Sequence, residues 1–126
     1  MLINACGPSG PSDNEKLRAE VIAVHDEVMP KMGQLKSLER KALEKAKELE
    51  SQEEANSAAV EEYKALAYDL NHAHESMFAW MRQYEQKDGE MKEAEVKAYL
   101  DKQMELVTEV NVEMKAALEK ADKLLK

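Results

Sequence analysis

Two rows of soft donor atoms stand out in this chain. His25, Met29 and Met32 are spaced by four and then three residues, and His74, Met77 and Met81 by three and then four. On a helix either spacing places all three side chains on one face. Imidazole and thioether ligands together suit a soft cation such as Cu(I). Two such rows facing each other would make a copper site, with Trp80 beside it as a shield. The same residues admit a plainer explanation. Methionine is flexible and polarizable, and it fills irregular core space such as a proline break leaves. A haem held by a His/Met pair is a third option, although the absence of a CxxCH motif excludes covalent attachment. His72 falls off the apolar face and is expected in solvent.

His74 also has a structural role open to it. If the helices pair as antiparallel neighbours around short turns, His74 falls level with Gln103, and the two could satisfy each other's hydrogen bonds in a buried polar layer. The same register sets His25 near Tyr84, Met29 near Trp80 and Met81, and Met32 near Met77 and Leu100.

Catalytic constellations are missing from the sequence. There is no glycine-rich phosphate loop, no HExxH and no Glu-x-x-His pair of the di-iron type. Neighbouring carboxylates such as Asp26-Glu27, Glu53-Glu54 and Glu61-Glu62 read as solvated faces. No enzymatic activity is expected.

The elements that must carry these residues are helices. Of 126 residues, 35% are charged and 5% aromatic, with 4 glycines and 3 prolines, two of the prolines falling in the first eleven residues. That is the composition of long helices or coiled coil. Apolar residues recur at steps of three and four along Leu17, Val21, Val24, Val28, Met32, Leu35, Leu38, Ala42, Ala46 and Leu49. They do so again along Val60, Tyr63, Ala67, Leu70, His74, Met77, Met81 and Tyr84, and along Val96, Leu100, Gln103, Val107, Val110, Met114, Ala117, Ala121 and Leu124. Leu66, Ala73 and Trp80 widen the second face, as a helix touching two neighbours requires. We therefore expect an all-α fold, an antiparallel up-down-up three-helix bundle over residues 12–126 with helices at about 13–54, 57–86 and 90–125. Pro30 should kink the first helix, since it removes one backbone bond and clashes with the carbonyl four residues earlier. Two helices broken at Pro30 is the alternative.

The net charge of -8 lacks the cationic stripe that phosphate binding needs, so no nucleic-acid partner is expected. No apolar run approaches the roughly 20 residues of a membrane span. The single cysteine, Cys6, closes the sequence Leu2-Ile3-Asn4-Ala5-Cys6-Gly7, which resembles the lipobox of a bacterial lipoprotein signal. Five residues precede Cys6, without the positive and long apolar regions of a full signal. Residues 1–11 thus read as a lipobox remnant followed by the flexible tether Gly7-Pro8-Ser9-Gly10-Pro11, with Cys6 as the lipidation site.

HDEVMPKMGQL (His25 to Leu35), AHESMFAWMRQY (Ala73 to Tyr84) and the stretch Val96 to Leu125 together resemble a group of small lipoproteins from Bacteroidetes-type bacteria, loosely labelled viral A-type inclusion protein-like. The resemblance implies an address in the bacterial cell envelope, periplasmic or on the outer membrane, and a lipid anchor on Cys6. It implies no mechanism, since the group has no settled activity. The expectation is a non-enzymatic interaction or envelope-structural module with an unknown protein partner or a second copy of itself. The alternative is an extracytoplasmic soft-metal protein using His25, Met29, Met32, His74, Met77 and Met81.

Overall fold

The computed structural model describes residues 12–52, 54 and 56–126. The lipobox, the tether and Cys6 lie outside the described residues. All regular secondary structure among the described residues is helical: α1 (Asp13–Val28), a 3-10 turn (Met29–Lys31), α2 (Met32–Glu50), α3 (Ser57–Gln83) and α4 (Glu93–Leu124). No described helix is long and apolar enough to cross a membrane.

Local chemistry accounts for each boundary. At the start of α1 the Ser12 hydroxyl accepts from the Glu15 N–H, and the Glu15 carboxylate accepts from the Ser12 N–H, both at 3.1 Å. This reciprocal pair satisfies two amides that the first turn leaves free. Pro30 has no N–H to give the Asp26 carbonyl, and the backbone tightens there into the 3-10 turn, with Met32 N–H donating to Met29 O. The Asn56 side chain accepts from Ala59 N–H at 3.2 Å and opens α3. Gly89, at φ +59°, supplies the left-handed residue between α3 and α4. Glu95 accepts from Lys92 N–H at 2.9 Å and opens α4. The first arm ends at Glu50, α3 at Gln83, and α4 begins at Glu93, so each connection is longer than the periodicity alone suggests.

Three helical arms pack around one core. Its fully buried residues include Leu35 from α2, Leu66, Leu70 and Met77 from α3, and Leu100 and Met114 from α4. Each large apolar side chain removed from water contributes about 1.5–3 kcal/mol. The arms do not pair evenly along their length. α2 lies chiefly along α3, whereas α1 lies chiefly along α4. The first arm therefore changes partner at the Met29–Lys31 turn.

The register between α3 and α4 departs from expectation. Gln103 meets Gln83, with Nε2 to Oε1 contacts of 2.7 and 3.1 Å, and not His74, which lies about two and a half turns away along α3. Other pairs agree: Tyr63 with Leu124, Asp69 with Lys120, His72 with Glu113. The cause is the segment Tyr84 to Lys92. It does not reverse the chain at the end of α3 but runs on beyond it, so the first turns of α4 overhang α3. There α1 and α4 are tied directly, Asn14 Nδ2 donating to Glu93 O at 3.0 Å.

Candidate functional site

The overhang is clamped by Arg18. Its guanidinium donates to the Tyr84 hydroxyl at 2.9 Å, to the Glu85 carbonyl at 2.7 Å and to Asp88 Oδ1 at 2.7 Å. Tyr84 stacks on Trp80, with ring centroids 4.7 Å apart and planes at 21°. His25 lies against the other side of this group, 5.6 Å from Trp80, and Tyr99 continues it at 6.3 Å from Tyr84. Tyr99 also holds the loop, its hydroxyl oxygen accepting from Glu85 N–H at 2.6 Å. Burial pushes the Tyr84 phenol above the usual tyrosine range, with the Arg18 charge opposing. Between α1 and this aromatic group lies an open recess of about 390 Å³, lined by Arg18, Ile22, His25, Asp26, Tyr84 and Gln86.

The six candidate metal ligands fall into different surroundings. His25 turns its Nδ1 toward Asp26 Oδ1 at 2.9 Å and its ring toward Trp80. Met32 and Met77 belong to the buried core, and Met29 packs at its edge. Met81 is 37% exposed, as is Phe78 one turn before it. His74 sits edge-on to Phe78 at 4.9 Å. Its Nδ1 is fully buried with no hydrogen-bond partner, and the nearest carboxylate oxygen, on Glu75, is 3.9 Å away. A buried donor or acceptor left unpaired costs about 1–3 kcal/mol. Trp80 Nε1 is buried and unpaired as well. The expected His74–Gln103 layer is thus replaced by a Gln83–Gln103 pair, and His74 is left without a polar partner. Among the described residues no three His, Cys, Asp or Glu side chains gather as metal ligands, so a cation at this level would rest on thioethers.

Two polar groups escaped the periodicity. Asn111, buried on α4, donates to the Val24 carbonyl at 2.9 Å and to Glu27 Oε1 at 2.8 Å, and Lys115 reaches the same carboxylate at 2.7 Å. The Lys115 and Asn111 hydrogen bonds hold Glu27 below the usual carboxylate range. His72, expected in solvent, is indeed half exposed but pairs through Nδ1 with Glu113, which raises its pKa. Ser76 Oγ is 3.5 Å from that same Nδ1. A nucleophile relay needs the hydroxyl and the carboxylate on opposite ring nitrogens, so these three residues do not form one.

The arrangement offers three features: an aromatic group with a clamped loop beside it, an exposed apolar pair on α3 at Phe78 and Met81, and a buried imidazole nitrogen without a partner. Spacing singled out His74 without indicating that its Nδ1 would lack a partner. Comparison with protein-family models, with curated proteins and with solved structures finds no match for this chain.

Proposed function

We propose that this chain is a non-enzymatic helical interaction module, an up-down-up three-helix bundle kinked at Pro30 and held on the cell envelope by lipid on Cys6. The observation that carries the interaction reading is the exposure of Phe78 and Met81, each 37%, one turn apart on α3. α1 pairs chiefly with α4 and α2 with α3. Two large exposed apolar side chains one turn apart are what a docking protein would cover, and Met81 adapts readily to a partner's shape.

A photoreactive phenylalanine analogue placed at position 78 or 81 of the membrane-anchored chain tests this. We expect a discrete crosslinked product from both positions and none from position 112, where Val112 is a lone large exposed apolar residue on α4. A product of twice the chain mass identifies a second copy as the partner. Equal labelling at all three positions, or at none, refutes the reading. For the anchor, mass spectrometry of the membrane fraction should find a chain beginning at acylated Cys6, and an unmodified Cys6 there removes the lipid.

A further inference from the structure

We propose that His74 Nδ1, with the Sδ atoms of Met32 and Met77, forms a Cu(I) site inside the bundle at the level of the 3-10 turn. The pairing of α2 with α3 sets Met32 level with His74 and Met77. Lys36 Nζ meets Asn71 Oδ1 at 3.1 Å and, further along α2, Glu50 meets Lys64. Residue numbers therefore rise along α2 as they fall along α3. One turn back from Lys36 is Met32, and one turn on from Asn71 is His74, with Met77 the next turn beyond on the same side. Met32 and Met77 are both core residues, 7% and 0% exposed. His74 Nδ1 is buried and has no hydrogen bond. An imidazole nitrogen held in the interior with its lone pair unused is a ligand atom in waiting, and the donors around it select the ion. All three are neutral and two are soft, which fits a monovalent soft cation and disfavours a divalent one, whose charge they would leave uncompensated. In this site the proton of His74 resides on Nε2.

The structure also narrows the ligand set. His25 already engages Asp26 and lies on Trp80, and Met81 is 37% exposed at the surface. Neither belongs to the site.

The test is anaerobic titration of the whole chain with Cu(I) against a competing chromogenic chelator. We expect one equivalent bound more tightly than micromolar, weakened by at least about a hundredfold (two decades in Kd) in Met32→Leu/Met77→Leu and in His74→Leu. His25→Gln and Met81→Leu should bind as the unaltered chain does. Circular dichroism checks that each variant keeps its helices. If a core variant fails to fold, Ag(I) added to the unaltered, 15N-labelled chain supplies the reading, by shifting the His74 Nδ1 resonance and not that of His25. Binding no tighter than micromolar, binding that survives loss of both methionines, or a silver shift at His25 alone overturns the site. None of these results bears on the Phe78 and Met81 surface, which the crosslinking experiment reads separately.

Discussion

Replacing Arg18 with alanine should loosen the end of the bundle that the overhanging loop closes, and the cost can be worked from the contacts. The Tyr84 hydroxyl and the Glu85 carbonyl are neutral acceptors at 2.9 and 2.7 Å, each bond contributing about 1 kcal/mol net. The third contact, to Asp88, is an ion pair whose acid is 56% exposed, so screening holds it to about 0.5 kcal/mol. The total is roughly 2–3 kcal/mol. For a chain of this length that lowers the melting temperature by roughly 6–12 °C. The single tryptophan makes the change visible, because Trp80 stacks on Tyr84 at 4.7 Å and loses that neighbour when the loop opens. Urea unfolding followed by tryptophan emission measures both. Tyr84→Phe should cost about 1 kcal/mol and Asp88→Asn about 0.5 or less, leaving the Glu85 carbonyl as the remainder. An Arg18→Ala protein within about 0.5 kcal/mol of the parent, a range expected of featureless surface positions, with unshifted emission, would show that Arg18 does not hold the loop.

The glutamine pair predicts an asymmetry. Gln103 is 4% exposed while Gln83 is at the surface, so Gln83→Leu strands a buried amide at about 1–3 kcal/mol, Gln103→Leu costs less, and the double variant costs less than Gln83→Leu alone. A denaturation cycle giving purely additive losses would show that the two amides do not couple. The His72–Glu113 pair predicts a pH effect. Because the folded state raises the His72 pKa, its stabilisation is complete below the ordinary histidine value and fades as pH rises through the higher, folded one. Measured stability should therefore exceed that of His72→Gln more at about pH 5.5 than at about pH 8.5; a gap that widens with pH contradicts the pairing. In the core, Leu35→Ala should cost about 2–5 kcal/mol, whereas Val112→Ala, at 59% exposure, should stay within about 0.5 kcal/mol. Equal losses by thermal melting would count against the assignment of faces.

The faces of the helices were readable from residue order because burial follows the three-and-four spacing. The α4 seam is buried from Val96 through Ala121, including Gln103, and on α3 the second row of Leu66, Ala73 and Trp80 is buried too. Axial position was not readable. Sliding one helix past another by whole turns keeps apolar faces together, so the spacing is nearly indifferent to which layer meets which. What decides it are polar side chains that must find partners: Gln83 with Gln103, Asn111 with Val24 and Glu27, and Arg18 with the loop. Asn111 adjoins Val110 off the repeating row, and its bond to the Val24 carbonyl is a fact of tertiary position. The assumption of a short second turn carried the error, and with it the pairing of His74. The two His–Met–Met rows could be picked out by type and spacing, but not that Met32 and Met77 would be buried while Met81 is 37% exposed.

The change of partner at Pro30 follows from the shape of the far end. α3 stops at Gln83, and past it only α4 and the extended loop continue. The first turns of α1 extend to that end, where Asn14 reaches Glu93 and Arg18 reaches Glu85, so α1 must follow α4 to bury its apolar side. α2 lies at the other end, where the whole of α3 is available to it. An unbroken helix would have to continue along a single groove. A proline that deletes one backbone bond and tightens three residues into a 3-10 turn lets the arm cross from one groove to the other without leaving a long run of unpaired amides. Phe78 and Met81 are exposed on α3, and His74, edge-on to Phe78, has its Nδ1 buried without a partner. The stretch Asn71 to Tyr84 thus serves every neighbour of α3 in turn: Asn71 meets Lys36 of α2, His72 meets Glu113 of α4, and Trp80 and Tyr84 meet His25 and Arg18 of α1.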